Sequence, residues 1–442
     1  QLYPDNAHFI YELLQNSEDT RASLVRFTLT NDSLDFEHNG ERLFSLPDVE
    51  SITSIGDSTK RDDPTSIGKF GVGFKAVFAY TNTPEIHSGE FHFRIHDLVV
   101  PETNGVKQTL MGAWETRFIF PFDHPKKPPA QAVEEVERGL RALGDNTLLF
   151  LNHIRTIEYL LPDGSLGSIE RIDHEGGHIE IRSSHPCGND TISHWLRFQQ
   201  DVEVDDEDGK PKTCRVAIAY TLVEEEDTKK RCSPWKIVPL DHGQVSIYFP
   251  ADKETSNLRF HLHAPFASTV ARDSVRDCRA NHQLRDHLSN LVVQSLISIR
   301  DQGMLTVGFL AVLPNPADNL SHFYEPIRKS IVKAFQEQSL TPMKYGGHAA
   351  AEGIFRGPAN ISDILNDDDL IILLGPDEYA PPLWAANPHQ KSQREDRFIE
   401  SLQIDVWGWS ELACLIRYLD DQKLERIENW ISNKDDAWLI RL

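Results

Sequence analysis

The chain is 442 residues long, carries 68 acidic against 45 basic residues for a formal charge of −23, and has five cysteines. That length exceeds one ordinary core, so two to four domains are expected, and a field of that sign repels phosphate backbones and disfavours a general nucleic-acid partner. Scattered cysteines in odd number, with no CxxC pair, no apolar run of membrane-spanning length and no signal-peptide pattern, point to a reduced, cytoplasmic protein without membrane association.

The chain opens at Gln1 rather than Met and runs straight into a helical pattern, so a piece of something longer is expected. Between Ala7 and Thr20, Phe9, Ile10, Leu13 and Leu14 recur at helical spacing. Glu12, Asn16 and Asp19 fall at i, i+4 and i+7 and share the other face. A solvated face is the plain reading of such a stripe. An amide between two carboxylates is nevertheless a poor ion-pair pattern and a good one for Mg²⁺ and an activated water.

Val25–Leu29 alternates like a strand, Asn31-Asp32 marks a turn, and Leu34–His38 alternates again, which reads as a hairpin running into His38-Asn39-Gly40. Ser45–Ser54 carries a Ser N-cap, a Pro in the first turn and Asp48, the start signals of a short helix. The polar run from Gly56 to Gly68 is lid-like. It leads into SIGKFGVGFKAVF, where Gly68, Gly71 and Gly73 allow close backbone approach to a ligand ahead of a predicted helix, as a phosphate cradle requires. Strands follow around Ile86, over Phe91–Ile95 and over Thr116–Phe120. Together these elements predict a two-layer α/β sandwich.

The order ELLQN, HNG, IGKFGVGF and a Thr-containing strand resembles the GHKL superfamily of gyrase, heat-shock chaperone, histidine kinase and MutL ATPases, whose nucleotide fold is the Bergerat fold. Within it, HFIYELLQN, SIGDSTK and GKFGVGFKAVF are similar to the sacsin-type branch of heat-shock-chaperone-like ATPases. The resemblance is specific over about the first 165 residues and looser to about 300. It implies ATP and Mg²⁺ as ligands. Glu12 matches the general base that polarises the attacking water, Asn16 the Mg²⁺ ligand, and Asp19 a polar residue of the pocket. Gly68, Gly71, Val72, Gly73 and Phe74 match the phosphate loop; within and near it Phe70 is a further candidate for nucleotide contact, and Lys60, Lys69 and Lys75 are candidate phosphate partners. Thr116 matches a hydroxyl that helps hold the adenine.

One position departs from the pattern. Where the superfamily has an Asp that accepts the adenine amino proton, this chain has His38 before Asn39-Gly40. A neutral imidazole nitrogen can accept a hydrogen bond but lacks the fixed charge. Asp35 and Asp57 are the substitute acceptors.

Pro121–Pro129 reads as a stiff linker, followed by an amphipathic helix over Ala130–Leu143 and an apolar strand over Leu148–Leu151. His174-Glu175-Gly176-Gly177-His178 fits HExxH, yet Gly-Gly in its middle and a strand-like continuation predict a hairpin turn rather than a zinc helix. The acidic runs Asp205–Asp208 and Glu224–Asp227 read as solvated hairpin tips, and His261 and His263 alternate on a strand. Phe260–Val275 resembles the transducer of heat-shock-type ATPases, which makes Arg272 the candidate for a γ-phosphate contact; a surface pair with Asp273 or Asp277 is the plain alternative. Leu284–Ile299 predicts a long helix, and beyond it come a strand at VGFLAVL, a helix over His322–Gln336, an acidic turn at Asp367–Asp369 and a Trp-rich tail.

The expected layout is a GHKL-type ATP-binding domain over 1–165, a transducer-like α+β middle domain over 166–304, and a smaller α/β scaffold or partner-binding region over 305–442. The expected function is a slowly hydrolysing ATP switch, chaperone-like or part of a multidomain defence protein, with a protein partner or client and a homodimer as further expectations. The rivals are a nucleotide-binding module that does not hydrolyse, and a DNA-processing ATPase of MutL or gyrase type.

Overall fold

The computed structural model describes residues 9–54, 74–103, 114–186, 188, 190–205, 211–225, 234–268, 274–375, 382–388, 393–418 and 421–441. The chain divides into two compact units, one of Gln1–Thr221, Gln244–Thr255 and His261–Leu284, the other of Leu222–Gly243, Ser256–Phe260 and Arg285–Leu442.

The first unit is mixed α/β, built on one large mixed sheet. In chain order it has α1 (Phe9–Asp19), β1 (Leu24–Leu29), β2 (Ser33–His38), α2 (Leu46–Thr53), a 3-10 turn (Phe74–Ala79), β3 (Glu85–Ser88), β4 (Phe91–His96), β5 (Val100–Glu102) and β6 (Thr116–Pro121). Next come α3 (Pro129–Arg141), α4 (Asp145–Leu149), β7 (Thr156–Leu160), β8 (Leu166–Asp173), β9 (His178–Ser184), β10 (Thr191–Asp205) and β11 (Pro211–Glu224). From one side the sheet runs Phe249–Thr255, Gln244–Ile247, His261–His263, β11, β10, β9, β8, β7, β1, β2, β6, β3, β4, β5.

The β1–β2 hairpin is the predicted one, with Phe27 opposite Phe36. Alternation sends Val25, Phe27, Leu34 and Phe36 to one face, and β6 adds Phe118 and Phe120 opposite Phe36 and Leu34. α1 covers this face, its Phe9 ring 6.2 Å from that of Phe120. Phe74, directly after the glycine-rich stretch, packs on the same face at 6.0 Å from Phe118 and 6.1 Å from Phe120. At the start of α2, the Asp48 carboxylate accepts from the Ser45 N–H at 2.8 Å and hydroxyl at 2.6 Å, closing the predicted N-terminus.

Three local expectations are corrected. Leu148–Leu151 is not a strand: Asp145–Leu149 is a helix whose first turn is fixed by Thr147, its hydroxyl accepting from the Gly144 N–H at 3.2 Å. Gly308–Val312 within VGFLAVL is a 3-10 turn, initiated where the Thr306 hydroxyl and carbonyl receive the Phe309 N–H. Asp367–Asp369 is the first turn of the helix Asp367–Leu374, capped by Asn366, which accepts from the Asp369 N–H at 2.9 Å. The HExxH match does lie on a hairpin turn, with Gly176 at φ 72° and Gly177 at φ 82° between β8 and β9.

In the second unit the Trp-rich tail forms a small core of its own. Ile361, Leu370, Trp384, Trp407, Trp430 and Trp438 are all buried in it. Three short parallel strands, with Ile354–Arg356 between Leu383–Trp384 and Asp405–Val406, run beside that core. No described helix is long and apolar enough to cross a membrane.

Candidate functional site

α1 is buried almost all round. Its apolar stripe meets the sheet, yet Glu12 is only 7% exposed and Asn16 8%. A solvated face would leave such groups in water; enclosing them costs free energy unless they are used. The Asn16 amide has no side-chain hydrogen bond to another described residue. Asp19, one turn on, has its carboxyl pushed up to about 7, by burial first and by Glu18 second, with Arg42 opposing. A carboxyl held near neutrality inside a fold is a common mark of a working site.

The C-terminus of α1 is tied to the turn after β2. The Glu41 N–H donates to the Thr20 carbonyl at 2.8 Å. A Cβ on Gly40 would stand 2.0 Å from the Thr20 hydroxyl and 2.8 Å from His38 Nδ1, so only glycine lets helix and turn approach this closely. His38 closes β2 directly opposite Thr116 of β6, and both are buried. They are the polar end of an otherwise aromatic sheet face, with the His38 ring 6.3 Å from Phe118 at an interplanar angle of 28°. The Thr116 and Ser88 hydroxyls lie 2.7 Å apart, and Ser88 also accepts from the Phe44 N–H.

The structure therefore brings the end of the helix that carries Glu12, Asn16 and Asp19 against the turn of His38 and Gly40, with Thr116 beside His38. Phe74 contributes its ring to the core, and Lys75 donates to the Ser54 carbonyl at 2.5 Å. Asp35 is no substitute for the missing Asp: it alternates to the opposite sheet face from His38 and pairs there with Arg117 at 2.5 Å. Lys60, Gly68, Lys69, Phe70, Gly71, Val72, Gly73 and Arg272, with Asp57, lie outside the described residues.

Mg²⁺ needs few protein ligands, because phosphate oxygens and water supply the rest. A lone amide oxygen such as that of Asn16 fits that chemistry. Among the described residues no group of three or more His, Cys, Asp or Glu could hold a metal; His174 Nε2 lies 2.9 Å from the Glu180 carboxylate and His178 Nε2 3.0 Å from His194 Nδ1.

Sequence reading missed Glu18 and the arginines around it. The Glu18 carboxylate, 5% exposed, accepts from the N–H groups of Asn152 at 2.5 Å, His153 at 2.9 Å and Ile154 at 2.9 Å. Arg171 donates to the Leu148 carbonyl at 2.6 Å, and Arg197 to that of Leu149 at 2.8 Å, satisfying the end of α4. Burial first, then Arg197 and Arg155, lower the Arg171 pKa. A cavity of about 440 Å³ adjoins this joint, lined among others by Arg155, Arg197, Arg215 and Asp173. Nothing local in sequence marks it, since its members come from four separate segments.

Residues 1–120 match the family model described as Sacsin domain. The chain is 27% identical over 327 residues to Protein NO VEIN of Arabidopsis thaliana, an overlap of 67% of this chain and 11% of that protein. It is 33% identical over 104 residues to human Sacsin, covering 20% of this chain and 2% of that protein. The chain thus spans only a small part of the length of these relatives. A solved structure described as the N-terminal domain of a DNA repair protein overlaps 67% of this chain and 96% of its own, at 11% identity and a TM-score of 0.36, too slight a likeness to bear on function. The family match and the two relatives make the N-terminal part of the chain sacsin-like.

Proposed function

We propose that this chain is a nucleotide-driven switch that binds a purine nucleoside triphosphate, ATP by family expectation, with Mg²⁺, and hydrolyses it slowly. The observation that supports it is the burial of the polar face of α1, with Asn16 lacking a side-chain partner among described residues. That helix ends against the turn carrying His38 and Gly40. In this reading Asn16 holds Mg²⁺, which neutralises phosphate charge when bound. Glu12 takes the proton of the attacking water, His38 and Thr116 meet the base, and the 68–75 loop with Lys60 takes the phosphates. Arg272 supplies a guanidinium to the developing charge.

The division into modules over 1–165, 166–304 and 305–442, the cytoplasmic setting, the homodimer and the protein client or partner belong to the same proposal. Asn16→Ala should abolish the thermal stabilisation given by MgATP, whereas Glu12→Ala should keep it and lose about 10²–10⁴ in turnover. Equal stabilisation of wild type and Asn16→Ala would reject the Mg²⁺ assignment. Phosphate release measured on the wild type separates a hydrolase from a module that only binds.

A further inference from the structure

His38 stands where the resemblance places a carboxylate that accepts a hydrogen bond from the base, and its surroundings fix which of its nitrogens is bare. Burial alone depresses the ring to about 4, and no charged side chain contributes, so at pH 7 it is neutral and carries one proton. Nδ1 accepts the Gly40 N–H at 3.1 Å. Nδ1 is therefore the bare nitrogen, and the proton sits on Nε2. That N–H has no partner among the described residues, although the residue is only 3% exposed. The replacement of Asp by His thus does more than remove a charge. It turns an acceptor into a donor.

The nearest sequence candidate for restoring an acceptor fails, because Asp35 is on the other face with Arg117. The paired hydroxyls of Thr116 and Ser88 can each donate or accept, so they adapt to either kind of base. His38 cannot. An adenine amino group placed against Nε2–H would set donor against donor and leave both unpaired in a buried site, whereas a carbonyl oxygen there completes a hydrogen bond.

We infer that the base edge read at His38 is an acceptor, so that the preferred nucleotide is a 6-oxopurine triphosphate of the guanine or hypoxanthine type rather than ATP. The inference rests on the nucleotide reading above and sharpens it. Its O6 receives the His38 Nε2–H, and its N1–H is left to the Thr116–Ser88 hydroxyl pair.

The test compares MgITP with MgATP by calorimetric titration of the full chain at pH 7.5, because these two ligands differ only at the 6-position and the adjoining N1. ITP should bind at least about tenfold more tightly. In His38→Asp one carboxylate oxygen can keep the Gly40 N–H while the other faces the base as an acceptor, so the order should reverse. Should that variant not fold, His38→Asn, whose amide presents either an oxygen or an N–H, should bring the two affinities within about twofold. ATP binding as tightly as ITP, or more tightly, in the wild type overturns the inference and leaves the nucleotide reading standing. Binding of neither ligand overturns both.

Discussion

Asp19 couples the fold to pH. Its native carboxyl value of about 7 lies above the ordinary 3.8, so between those values the folded chain holds this proton more tightly than the unfolded chain. The stability it contributes is complete below about pH 4 and is lost as pH rises through about 7. Asp19→Asn cannot titrate, so urea midpoints of wild type relative to this variant should fall across that window. Glu18, its neighbour, has a different task. A buried carboxylate accepting from three consecutive backbone amides holds α1 to the 152–154 segment, and Glu18→Ala should cost about 3 kcal/mol in denaturant unfolding. That Glu12, Asn16 and Asp19 share one face of a helix was legible because one helical period links them. Glu18 was not, since its partners come 134 to 136 residues later and are backbone groups of no particular residue type.

At the scale of elements, the approach of α1 to the turn after β2 depends on Gly40. Gly40→Ala would drive a methyl into Thr20 and His38, with an expected loss of about 1–3 kcal/mol and a displaced His38 ring. Both consequences can be read by thermal unfolding and by imidazole NMR shifts. The β1–β2 hairpin, α2 and β6 were legible from alternation and capping residues, because each is stabilised by signals lying within its own few residues. The runs at 148–151 and 309–312 were not, because a short apolar segment with every residue buried has no period to betray it. At the entry to each a threonine hydroxyl accepts a backbone N–H, Thr147 from Gly144 and Thr306 from Phe309.

For the whole molecule, the sheet is the feature that local sequence signals describe least. β1 pairs with β2 along one edge and, in parallel, with β7 along the other, across more than a hundred residues of chain. No turn residue announces a pairing of that kind. In the second unit the Trp384 indole is fully buried and donates to the Leu365 carbonyl at 2.8 Å. Trp384→Ala should destabilise that unit by about 3–5 kcal/mol, seen as earlier proteolytic cleavage after residue 300.

β7 spends both of its edges, one on β1 and the other on β8. Truncating the protein at residue 165 would strip the strand Thr156–Leu160 of its second neighbour and leave a bare rim of amides and carbonyls. Such shortened material is expected to clump, as light scattering would register, while a version carried through residue 284 stays dispersed.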